Sequence, residues 1–323
     1  MSNFSESNTT PTRRTCATSI MNHRLLELPE YRARRARIER FARAAKAPSG
    51  IIDISVVVHI VMQDLSVISD AQVYNQIQVL NEDFQGLNSD LAQVPAPFQP
   101  AVGNPQIRFT LASVDPNGNP TTGITRTRAL IEIFSSCNEG VKSVARGGVD
   151  PWDTTRYLNI WVCAVDDPIA GPLLGYAQFP GGPPETDGVV LSSSAFGRGF
   201  ASNNPRFNLG RTATHECGHY FDVRHIWGDR VGCLGDDLVA DTPQHEDANE
   251  GTPTFPRITC SNAPDGEMFM NYMDYVDDVA MFMFTKGQVD RMRVSLAGPR
   301  VGLIPPQSAI APSFRSMARE AAF

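Results

Sequence analysis

Residues 212–225 read TATHECGHYFDVRH and hold three of the chain's six histidines, His215, His219 and His225. The run reads as helix. His215 and His219 are four residues apart, a rotation of about 400°, so their imidazoles lie on one face, one turn apart, and can share a zinc ion. Glu216 then sits beside the metal without ligating it. His225 is ten residues past His215 and would lie about 15 Å further along an unbroken helix. It can join the pair only if the helix stops after His219 and the chain doubles back. The usual stop is a left-handed residue, most often glycine. Here the turn position is Asp222, and aspartate is among the non-glycine residues that visit this region most readily.

The rest of the sequence is that of a globular protein long enough for one or two domains. It has 323 residues, 41% of them hydrophobic and 20% charged. It has no apolar run of the length a membrane span needs, and its N-terminus lacks the apolar core of a secretory leader. The net charge of −7 is uneven: residues 1–46 carry +6, whereas the remainder carries −13. A basic arm can bind nucleic acid or anionic lipid, or dock on its own acidic body. The acidic body argues against nucleic acid as the main partner. Six cysteines are too few for a disulfide scaffold and permit one or two bridges.

Residues 1–15 are polar and are expected to lack regular structure. Residues 23–46 read as a helix interrupted near Pro29, followed by an APSG linker. IIDISVVVHIVM (51–62) reads as a buried strand, and 70–86 as an amphipathic helix. QIRFTLASV and RYLNIWVCAV are further strands, with shorter ones in LLGYAQFP (173–180) and GVVLSSSAF. DPNGNPTTG is turn-rich. Beyond residue 226, Gly, Asp and Pro prevail until a helix near 285–297. The expected fold class is α/β.

HECGHYFDVRH resembles the long zinc signature of the metzincin metallopeptidases, and NYMDY at 271–275 resembles their Met-turn. The run FMNYMDYVDDVAMFMFTKGQVDRMR, with YLNIWVC and HIWGD, is similar to the pappalysin (cytophagalysin-like) branch. The resemblance covers roughly 51–298 and departs at Asp222, where the family has glycine. It implies a twisted mixed sheet with an active-site helix above and a loop-rich lower subdomain with the Met-turn below. It divides the chain into a prosegment at 1–46, a catalytic domain at 47–300 whose upper subdomain ends near 225, and a tail at 301–323.

It further implies catalytic zinc on His215, His219 and His225. Glu216 would serve as proton acceptor and donor, Tyr275 would stabilise the oxyanion and Met273 would support the ligands. Cys16, in RRTCATS, stands where related precursors carry a thiolate that caps the zinc. GCLGDDLVADTPQ resembles a calcium loop, with Asp237, Asp241 and Thr242 as ligands, spanned by a Cys233–Cys260 disulfide. Cys137 and Cys163 are a further possible pair, and Cys217 reads as a small core residue. LLGYAQFP is the expected substrate-binding edge. Val279 stands where arginine-preferring relatives place a carboxylate, which implies an apolar or relaxed subsite. The resulting expectation is a secreted zinc endopeptidase acting on proteins or peptides. Two alternatives remain at this level: a catalytically silent zinc protein that binds a partner in its cleft, and a scaffold presenting 23–46 to nucleic acid or membrane.

Overall fold

Strand β1 (Ile52–Met62) is buried without a break from Val56 to Val61 because it is covered on both faces there. Its alternate residues Ile54, Val56, Val58 and Ile60 join the main core, while Val57 and Val61 point into two smaller clusters on the opposite side. The computed structural model describes residues 11–200 and 204–304. The first ten residues and most of the expected 301–323 tail lie outside this range.

Around β1 are β2 (Ile107–Leu111), β3 (Ile124–Arg128), β4 (Leu158–Cys163), β5 (Gly175–Ala177) and β6 (Val189–Ser192). The sheet order is β2-β1-β4-β6-β5, with β3 also paired to β1. All pairings are parallel except β5 with β6, so the edge strand runs against the sheet. Strand β3 was not anticipated. None of its five residues is buried, so it offers no apolar alternation to read.

Helix α3 (Asp70–Phe84) is capped by the Ser69 hydroxyl and packs its Val73, Ile77, Leu80 and Phe84 into the main core. Alongside it lies α4 (Arg211–Tyr220), which also contacts β5 and β6. The lower region is mostly loops, closed by α5 (Lys286–Ala297), which starts with a Thr285/Gln288 capping box.

The N-terminal helix expected at 23–46 is two helices, α1 (Thr18–Leu26) and α2 (Pro29–Ala44). Pro29 opens α2, where its missing N–H costs nothing. Residues 11–15 are not the unstructured stretch expected of them. Arg14 and Thr15 are buried against the body. Arg34 and Arg35 of α2 also bond to the body, so this face is not available to nucleic acid or lipid. Cys233 and Cys260 are bonded. Cys137 and Cys163 are not, because Cys163 is sealed inside β4 while Cys137 is exposed. Cys217 is a buried core residue.

Candidate metal centre and cleft

Helix α4 ends as the signature requires. Asp222 adopts the left-handed conformation, φ +79°. The Val223 amide bonds Gly218 O at 3.0 Å and the Asp222 amide bonds His219 O at 2.9 Å, the two bonds of a Schellman cap. The reversal brings His225 back to the helix. His219 Nε2 lies 3.2 Å from His215 Nε2 and 3.0 Å from His225 Nε2. Each Nδ1 has its own partner: Tyr272 O for His215, Val223 O for His219 and the Asp229 carboxylate for His225. Three Nε2 atoms are thus turned toward one point. Imidazoles on a tetrahedral zinc would stand about 3.3 Å apart, so the site fits that ion. Burial, and after it the neighbouring histidines, hold the His215 and His219 pKa values well down, which favours the neutral form a metal needs.

A fourth atom completes the cluster. Cys16 Sγ and the three histidines offer ligand atoms all within 4.8 Å of one another, and all four residues are buried. Glu216 is buried beside them, its Oε2 accepting from Thr18 Oγ1 at 3.1 Å and from Cys16 Sγ at 3.4 Å. Burial pushes its pKa up to about 8. Met273 lies below: a Cβ on Gly218 would stand 2.5 Å from its sulfur, so glycine lets the helix rest on the methionine without displacing it. The Met-turn is pinned by Asn271, whose Oδ1 accepts from the Met273 amide at 2.9 Å. Tyr275 stacks edge-on to His225 at 4.9 Å and donates its hydroxyl to Cys16 O at 3.4 Å.

Residues 14–17 run along the sheet's edge. The Leu174 amide bonds Thr15 O at 3.0 Å and the Ala17 amide bonds Gly175 O at 3.3 Å, so this segment lies parallel to β5. Gly175 lets α4 lie close to β5, since a Cβ there would stand 3.0 Å from Glu216 Cγ.

Sequence reasoning missed Arg14, Thr18, Asp229 and Asp278. Arg14 is 2% exposed. It donates to Asp278 Oδ1 at 2.5 Å, to Val276 O at 3.1 Å and to Thr212 Oγ1 at 3.2 Å. The Arg14–Asp278 ion pair is buried beside the exposed Val279. Val279 is 58% exposed, whereas Asp278, one residue earlier, is buried. A short 3₁₀ turn at Asp278–Ala280 sets which of the two points inward. Asp229 carries the available signal: it is the last residue of HIWGD and lies 2.6 Å from His225 Nδ1.

The calcium candidates separate. Asp237 is buried and accepts from Thr242 Oγ1 at 3.0 Å and from the Val239 amide at 3.1 Å, both neutral donors, and burial pushes its pKa up to about 7. The Asp241 oxygens instead take Thr285 Oγ1 at 2.7 Å and the Gly287 amide at 2.9 Å, at the start of α5.

The family profile described as pregnancy-associated plasma protein-A matches residues 142–297. An extracellular metalloprotease of Pyricularia oryzae is 32% identical over 265 residues, 79% of each chain. The chain belongs to the pappalysin family of metallopeptidases. Mature mirolysin of Tannerella forsythia, solved with a cleaved peptide, is 53% identical, with a TM-score of 0.72 over 76% of this chain and 92% of its own. A mutant promirolysin of the same organism is 44% identical, with a TM-score of 0.81 over 95% and 98%. This pappalysin is accordingly a metalloendopeptidase with the mixed α/β fold of those neighbours, and the silent-protein alternative finds no support. Among the described residues, no helix is long and apolar enough to cross a membrane.

Proposed function

We propose that this pappalysin is a secreted, zinc-dependent endopeptidase made as a latent precursor and cutting polypeptides on the amino side of arginine. The observation that carries the zinc site is the convergence of three Nε2 atoms beside one buried carboxylate. The export of the protein is supported by relatives named as extracellular. His215, His219 and His225 hold the ion, which supplies a Lewis acid for the scissile carbonyl and eases deprotonation of water. Glu216 takes the proton of the attacking water and hands it to the leaving amine. Tyr275, freed from Cys16 O, turns its hydroxyl to the developing oxyanion. Strand β5 holds the substrate main chain as an added strand.

Residues 11–46, and those before them, act as the prosegment. Cys16 is the fourth ligand of the latent form, and its neighbour Arg14 fills the pocket that later takes substrate arginine. The Arg14–Asp278 pair supports this specificity. A buried carboxylate with a fixed carbonyl and hydroxyl is suited to a guanidinium and leaves unpaired acceptors facing any apolar side chain. Peptide libraries digested by the activated chain are expected to give arginine just after the cut, with kcat/KM about 100-fold above leucine there. A profile dominated by leucine or phenylalanine would refute the assignment.

The buried Asp237 with Thr242 is the proposed calcium site, while Asp241 caps α5. A carboxylate this buried, held only by neutral donors, is costly when charged and gains from a hard cation. Removing calcium with a chelator that spares zinc is expected to lower the melting temperature by several degrees, restored by calcium but not magnesium. Asp237→Asn should abolish that response. An unchanged melting curve would exclude the site.

A further inference from the structure

We infer that the Asp222 turn is a docking surface for a helix bearing Arg-x-x-x-Glu, and that α2 is its occupant, held there independently of the metal cluster. The inference rests on reading residues 11–46 as a removable prosegment. Nothing in the turn itself calls for a side chain at 222, since glycine would satisfy both cap bonds. The aspartate is nonetheless 1% exposed and fully engaged. Its Oδ1 accepts from Arg35 Nη2 at 2.7 Å and its Oδ2 from Arg291 Nη2 at 3.0 Å. Arg291, from α5, also donates Nε to Asp222 O at 2.5 Å and Nη2 to Glu39 Oε2 at 2.7 Å.

Arg35 and Glu39 are one helical turn apart and share a face of α2. The order Arg35, Asp222, Arg291, Glu39 is thus an alternating chain of charges across three elements. Arg224, part-buried nearby, feels both Arg291 and Arg35, and its pKa is lowered chiefly by burial and then by those two cations. Without α2 the surface would keep Arg291 and Arg224 beside Asp222, with Asp237 a further carboxylate acting on Arg291. The arginine–glutamate pair of α2 matches it, Arg35 meeting the Asp222 carboxylate and Glu39 meeting the Arg291 guanidinium.

Shape adds to charge. The Arg35 guanidinium lies 5.3 Å from the centre of the Phe179 ring and donates to Pro180 O at 3.1 Å. Phe179 is itself edge-on to His219 at 5.5 Å, so the surface borders the metal cluster. Two glycines make room for α2. A Cβ on Gly181 would stand 2.8 Å from Ile38 Cδ1, and one on Gly298 would stand 2.3 Å from Phe41 Cε1.

The test follows the opening of the N-terminal segment in the intact, zinc-loaded full chain. Cys16 labelling by a maleimide is read by mass spectrometry in a Cys137→Ser background, which removes the exposed thiol. Arg35→Met, Glu39→Gln and Asp222→Gly are each expected to speed labelling at least about tenfold. Arg40→Met, on the exposed side of α2, should stay within about twofold of the parent. Acceleration in Arg35→Met alone, with the other two at the parent rate, overturns the inference, because it would mark lost helix packing rather than lost ion pairs. Parent rates in all three also overturn it. Faster opening in all three, in a chain that becomes fully active while still carrying residues 11–46, leaves this inference standing and removes the prosegment reading.

Discussion

Glu216→Gln removes turnover and keeps the metal. The variant, freed of its N-terminal segment, is expected to lose at least about a thousandfold in kcat on a fluorogenic peptide, within the range a positioned general base supplies. Glutamine has the same shape, so the packing of α4 against β5 at Gly175 is retained. The imidazoles keep their own Nδ1 acceptors, none of which is Glu216. Zinc content and melting temperature should therefore match the parent. Loss of metal along with activity would mean that Glu216 holds the site together. Retention of a tenth or more of the parent rate would assign proton transfer to another group.

Cys16→Ala makes the intact chain prematurely active. The thiol touches Glu216 and stands among the three Nε2 atoms, so it occupies the space a substrate carbonyl and the attacking water need. A thiolate is a strong zinc ligand, whereas alanine leaves that position to water. The rate on a short peptide, measured before any processing, is expected to rise at least about tenfold, the factor that ~1.4 kcal/mol of lost binding represents. Arg14 and α2 still hold the segment, so the rise stops short of the fully activated rate. An intact Cys16→Ala chain with the parent's rate and lag would show that the segment blocks the cleft by bulk alone.

What the sequence revealed of this site follows from how far apart the partners lie. His215 and His219 are legible because four residues make a helical turn, and His225 because a single left-handed residue can return it. Asp222 adopts that conformation at φ +79°. The resemblance to the pappalysins supplied Cys16, the Met-turn and the disulfide. Contacts set by packing were not legible. Arg14 and Asp278 are 264 residues apart, and no local period links them. That Asp278 faces inward while Val279 is exposed was not legible either, because the phase of a short 3₁₀ turn is fixed by its neighbours. The charged chain through Asp222 brings together α2, α5 and the turn after α4, so the missing glycine read as a tolerated departure rather than as a contact. Strand β3 escaped notice for the opposite reason: its part-buried ITRTR carries no apolar pattern, and its partner β1 defines it.

Zinc K-edge absorption on the intact, unchelated chain tests the central claim most directly. One zinc per chain is predicted, with three imidazole nitrogens at about 2.0–2.1 Å and one sulfur at about 2.3 Å. The sulfur should disappear when the N-terminal segment is removed or Cys16 is replaced by alanine. Zinc well below one per chain, or a shell lacking the three nitrogens, would contradict the account.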